Sequence, residues 1–153
     1  MAASDLILYA ANLDDIRLND LVGATLKMTL HTSSYTPDDG TSGDAVYADI
    51  DNELTTANGY TAGGATLTNV AVTAITNGWK LTSDNVQWNA DGGAIPAWRY
   101  AVLRVSGSLW GKTDPLIGYI IADATPADSP ATADGNPLQL EVPSGGWFDV
   151  KRV

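Results

Sequence analysis

Residues 24–32 read Ala-Thr-Leu-Lys-Met-Thr-Leu-His-Thr, and this stretch decides the fold. Apolar Leu26, Met28 and Leu30 alternate with polar Lys27, Thr29 and His31. That is the period-two pattern of a strand with one face on a core and one face in water. Working outward, the same reading predicts strands at 65–75, 78–88, 97–105, 116–123, 137–142 and 146–152, each bounded by Gly, Pro, Asn or Asp. Short strands at that spacing predict an all-β chain, an antiparallel β-sandwich or partly open barrel.

Helix has little support, because Thr, Val, Asn, Gly and Asp are abundant. Only residues 12–22, Asn-Leu-Asp-Asp-Ile-Arg-Leu-Asn-Asp-Leu-Val, carry apolar side chains near a helical period, with Asn12 placed to cap. A short helix and an ordered arm fit this segment equally. The chain therefore divides into an extended N-terminal arm, 1–22, and one sandwich-like domain, 23–153. The apolar run Leu6-Ile7-Leu8-Tyr9 needs a cover, either the chain's own sheet or a neighbouring subunit.

At 153 residues and 16.0 kDa, one domain is the expected size, and about two-thirds of the unfolded chain's surface is available for burial. With no cysteine, disulfide frameworks, thiolate nucleophiles and cysteine zinc sites drop out together. No Lys or Arg precedes the run 6–11, and that run is too short for a signal-peptide core or a membrane-spanning helix. A net charge of −10 repels phosphate backbones and anionic membranes, so neither nucleic acid nor membrane is an expected partner. Two loops, 36–46 and 123–136, hold too few apolar side chains to pack a core and belong on the surface.

Catalytic constellations fare poorly. His31 is the only imidazole, no Gly-x-Ser-x-Gly elbow occurs, and the alternation places His31 on the wet face of its strand, so it reads as a surface histidine. Glu53 and Glu141 are the only glutamates, and nothing pairs two carboxylates as a glycosidase requires. Phosphate-binding loops, dinucleotide fingerprints and two-histidine metal motifs are absent from the sequence. Asp49, Asp51 and Glu53 alternate along an extended segment, which would aim three hard oxygen ligands to one side, with Asp44 or Asp38 to close a calcium shell. The twelve-residue calcium-loop pattern is lacking, and an acidic solvated edge accounts for the same residues. No cofactor, no metal and no enzyme activity is expected.

Five tryptophans and six tyrosines supply large apolar area in a chain with Phe148 as its single phenylalanine. Such rings fill sandwich cores, and they also serve as interface anchors or sugar platforms. Along 97–105 both faces carry bulky side chains, as a central strand or one at a subunit contact would. Trp88 and Trp98 are read as core. Trp110, in a turn between Ser108 and Gly111, is read as exposed or interfacial.

The segment Gly59-Tyr60-Thr61-Ala62-Gly63-Gly64 punctuates the chain just before the strand at 65. Paired glycines there imply positive φ or a close backbone approach, with Tyr60 anchored beside them. Read with Leu30–Pro37 (ending Ser-Ser-Tyr-Thr-Pro), Asn52-Glu53, Val86-Gln87-Trp88 and Asp114–Ile117, it resembles a family of small virion structural proteins of tailed bacteriophages. The order of these segments matches that family over about 90 positions.

That resemblance implies a capsid decoration, or cement, protein that binds the outer capsid and stabilises the lattice, located on the virion surface after synthesis in the host cytoplasm. Its implied partners are the major capsid protein and further copies of itself, as a dimer or trimer. For such an interface the residues themselves offer Leu6, Ile7, Leu8 and Tyr9 as a clasp, with Tyr35, Tyr60 and Trp110 as anchors. Two rival readings are a tail or neck adaptor, and a carbohydrate-binding module using Trp110 or Trp147.

Overall fold

The computed structural model describes residues 4–122 and 128–153, so part of the surface loop expected at 123–136, and the end of the strand expected at 116–123, lie outside the described residues. In chain order the strands are β1 (Ile7–Leu8), β2 (Leu26–His31), β3 (Ala65–Thr66), β4 (Ala71–Ile75), β5 (Gly78–Thr82), β6 (Val86–Asn89), β7 (Tyr100–Val105), β8 (Ser108–Leu109), β9 (Lys112–Thr113), β10 (Leu116–Ile121), β11 (Pro137–Leu140) and β12 (Phe148–Lys151). Among the described residues helix is confined to α1 (Leu18–Val22) and two single 3-10 turns at Ala10–Asn12 and Tyr47–Asp49.

A five-stranded antiparallel sheet, ordered β1-β10-β7-β2-β3, forms one layer of a sandwich-like fold. The three-stranded sheet β12-β5-β4 and the pair β11-β6 supply strands opposite it, and β8-β9 is a separate hairpin. Among the described residues no sheet closes into a barrel. Core side chains from both layers meet between them: Leu26, Met28, Leu30, Ala101, Leu103 and Ile117 pack with Leu81, Val86, Trp88, Ile95, Trp98 and Trp147. Trp88 and Trp98 are buried as the sequence reading places them.

The second face of the five-stranded sheet differs from expectation. Thr29 and His31 sit opposite Val102 and Tyr100 in register, and both are fully buried. Residues 33–54 fold across this face, bridging to it at His31↔Glu53 and Val46↔Pro115. The alternation of β2 correctly separates two faces, but the polar face is roofed instead of wet. His31 is therefore a buried histidine and not a surface one, since strand periodicity reports which residues share a face and not what covers it.

The N-terminal segment is also built into the body. β1 adds to the sheet edge with Ile7↔Tyr119 and Leu8↔Gly118 in register, and Tyr9 N donates to Ile117 O at 3.1 Å. The 3-10 turn at Ala10–Asn12 and α1 occupy the region expected to be a short helix or arm. Asn12 is fully buried, but it does not cap a helix with its side chain. Its amide donates to Ala45 O at 2.7 Å and to Leu116 O at 2.8 Å, tying the lead segment to the roof and to β10.

Candidate functional site: the Glu53 corner

β3 pairs with β2 only at Lys27 and Met28, so the backbone of Leu30 needs partners from elsewhere. Leu54 N donates to Leu30 O at 2.9 Å. Leu30 N donates to the Tyr60 hydroxyl at 3.0 Å. A side chain thus completes a ladder that the strand partner abandons.

Glu53 fixes that side chain. The Tyr60 hydroxyl donates to Glu53 Oε1 at 2.6 Å, and Gly63 N donates to the same oxygen at 2.7 Å. Tyr47 donates its hydroxyl to Glu53 Oε2. One carboxylate therefore gathers three donors from two loops. Charge-assisted bonds of this kind are roughly twice as strong as neutral ones. Burial, and then the bond to Glu53, pushes the Tyr47 hydroxyl up to about 12 and the Tyr60 hydroxyl further above its usual range.

Arg104 closes the corner from β7. Its Nη2 donates to Gly63 O at 2.7 Å, its guanidinium carbon lies 4.0 Å from the Tyr47 ring centroid, and Nη1 stands 3.6 Å from Asp114 Oδ1. The guanidinium is nearly fully buried, so its charge is held by a carbonyl, a ring face and a carboxylate together. Asp114 Oδ1 in turn accepts from Gly107 N at 2.6 Å, which anchors the turn after β7.

The glycines answer a steric demand. Gly64 has φ +89, and a Cβ there would stand 2.2 Å from Met28 O. Gly59 has φ +90, and a Cβ would stand 1.9 Å from Asn89 O. Only a residue without a side chain brings the chain this close to β2 and to the end of β6.

Beside this corner, His31 Nδ1 donates to Asp51 O at 2.6 Å, which leaves Nε2 to accept from Thr29 Oγ1 at 2.9 Å. Burial holds the imidazole below its ordinary pKa, against the opposing pull of the Asp51 carbonyl. Further along the same face lies a tyrosine cluster. Tyr35 donates to Asp44 Oδ2 at 2.7 Å, so Tyr9 donates to Tyr35 at 2.8 Å. Tyr119 donates to Asp39 Oδ2 at 2.7 Å. The loop 36–46, rich in aspartate, thus supplies acceptors to buried hydroxyls from the surface.

The residues singled out from sequence are placed as follows. Tyr35 and Tyr60 are 3% and 1% exposed, which corrects their reading as interface anchors, and Tyr9, read as part of the clasp, is 0% exposed: each ring is consumed inside the chain. Leu6, Ile7 and Leu8 are half-buried at the sheet edge, Ile7 and Leu8 as strand β1 and Leu6 packed against the core beside it, so they belong to the body of this chain and not to a projecting clasp. Trp110 is half-buried in the β8–β9 turn at φ +54, packed against the core with its Nε1 donating to Asp20 Oδ2 at 3.0 Å. Trp147 is 3% exposed, so it cannot offer a sugar platform.

Asp49, Asp51 and Glu53 do not converge on a shared centre. Asp49 Oδ2 accepts from Ala45 N and Val46 N, capping its own 3-10 turn, while Asp51 Oδ1 accepts from Asn52 Nδ2. No group of three metal-ligating side chains occurs among the described residues. The Glu53 carboxylate accepts from three donors within the chain, and the His31 imidazole lies buried beneath the roof. Sequence reading missed Glu53, Tyr47 and Arg104 as one unit because 41 positions separate Gly63 from Arg104. Comparison with family models, with curated proteins and with solved structures returns no match to this chain.

Proposed function

We propose that this chain is a non-enzymatic structural protein of a tailed-bacteriophage particle, a decoration protein that binds the outer capsid and bridges major capsid subunits. One observation carries the reading: three of the segments behind the virion resemblance, Ser33–Pro37, Asn52-Glu53 and Gly59–Leu67, supply Tyr35, Glu53, Tyr60, Gly63 and Gly64 to the buried polar framework. These residues bind the loops to the sheet, which supports a structural role for the segments behind the resemblance.

The mechanism is burial of non-covalent surface. A standard interface removes about 800 Å² per partner, and symmetry multiplies that contribution over the lattice. The half-buried N-terminal edge and the acidic surface are available to such contacts once the framework fixes their positions.

Cryo-electron microscopy of particles assembled with and without the protein tests the reading. Density distributed over the capsid at lattice-related positions is the expected result. Density confined to a tail or neck ring would replace decoration with the adaptor role, and density on neither would remove the virion assignment.

A further inference from the structure

The sheet β12-β5-β4 reaches beyond the core that covers its inner face. Leu81 is fully buried, yet Trp79, two residues earlier on the same face of β5, is 54% exposed. Trp79 stands between Ala74 of β4 and Val150 of β12 in register. Val150 is 55% exposed. The outer end of this apolar row flanks a groove of about 560 Å³, with Ile16 and Leu18 on the opposite wall. β12 ends the sheet, so one side of its backbone has no strand partner among the described residues.

Arg152 N donates to Asn77 O at 3.0 Å, in line with the β12–β5 register. By the alternation of an antiparallel ladder, Val150 turns its backbone toward β5. Asp149 and Lys151 therefore turn theirs outward. A second copy pairing antiparallel through this edge must match outward residues with outward residues, which leaves three registers. Asp149 opposite Asp149, and Lys151 opposite Lys151, each set like charges face to face. The third sets Asp149 opposite Lys151 twice and places Val150 on the two-fold axis.

We infer that β12 pairs with β12 of a second copy in this third register, joining two three-stranded sheets into one of six strands. The strand is self-complementary, as a two-fold interface requires. Asp149 Oδ2 already lies 3.2 Å from Lys151 Nζ within one chain, so the two charges share a face and form a four-charge group across the axis. On the other face the apolar row runs Ala74, Trp79, Val150, then Val150, Trp79 and Ala74 of the second copy, so the two exposed valines meet side by side at the axis. This interface is independent of the virion reading, since it forms between free chains without any capsid.

The chain has no cysteine, so Val150→Cys introduces a single thiol at the axis. Residues facing each other in a non-hydrogen-bonded pair have Cα atoms about 4.5 Å apart, within disulfide range. Mild oxidation of V150C is expected to give a covalent dimer, while Thr73→Cys on the opposite edge strand stays monomeric. V150C remaining monomeric, or T73C cross-linking as readily, overturns the inference. In sedimentation of the cysteine-free chain, Lys151→Glu sets carboxylates opposite each other and is expected to weaken dimerisation about tenfold. The double variant D149K/K151E restores opposite charges and is expected to restore the dimer. Equal dimerisation of wild type and K151E would also overturn the register.

Discussion

Tyr60 and Glu53, seven positions apart, are joined by a hydrogen bond of 2.6 Å that ends a strand ladder with a side chain. The Tyr60 hydroxyl receives Leu30 N and gives its own proton to the carboxylate, so the edge of β2 is completed by a group that Glu53 alone orients. Replacing Glu53 with Gln leaves one oxygen for three donors and adds an amide with nothing to receive it. Urea unfolding of Glu53→Gln should show a loss of about 3 kcal/mol, because buried donors lose charged acceptors. Wild-type stability would show that the corner does not hold the fold.

Two glycines separate conformational strain from collision. Gly64→Ala places a methyl 2.2 Å from Met28 O at φ +89, whereas Gly92→Ala meets nothing within 4 Å at φ +78. The Gly92 change should cost about 1 kcal/mol and the Gly64 change about 3 kcal/mol or more in thermal or urea unfolding. Equal losses would mean that φ alone, and not the approach to β2, demands glycine.

His31 makes stability fall on mild acidification. Its folded pKa lies below the ordinary value of 6.5, chiefly through burial, so the unfolded chain binds a proton more readily than the folded one. The contribution is complete above about pH 6.5 and is lost as pH drops toward the folded pKa. Stability measured from neutral pH to about pH 5 should fall less steeply for His31→Gln than for wild type. Identical slopes would assign the acid sensitivity to other groups.

Alkali acts on the hydroxyls. Tyr47 is raised to about 12, and Tyr9, Tyr35, Tyr60 and Tyr119 are raised beyond it, each first by burial. Unfolded tyrosine ionises near 10, so stabilisation is complete below that pH and drains away above it. Tyrosinate absorbance from these five rings should emerge together with loss of β-sheet circular dichroism. Ionisation of all six tyrosines with the sheet signal intact would contradict their placement.

Strand positions were legible because apolar alternation needs no knowledge of partners: the segments read at 24–32, 97–105 and 137–142 contain β2, β7 and β11. The segment 65–75 is two strands, because Asn69 takes φ +53 between β3 and β4, a left-handed bend that asparagine tolerates and alternation does not reveal. The segment 78–88 likewise breaks between β5 and β6 around Ser83-Asp84-Asn85. Asn69 and Thr68 there donate to Asp84, tying the two breaks to one another. Site residues were legible only by type. Glycines 59–64 announced a corner, but that Tyr60 points inward toward Trp88, and that Glu53 answers it, depends on loops brought together by the completed fold.

β1 has a consequence for how the protein is made. Ile7 finds its partner at Tyr119, and the Asn12 amide reaches Leu116 across 104 positions. During synthesis the first strand leaves the ribosome long before its partner exists, so Leu6, Ile7 and Leu8 travel uncovered until the tenth strand emerges. Such distant pairing makes a slow-folding chain with a late closing step. A newly made copy is most exposed to misassociation just before that step, at the edge that later lies beside β10.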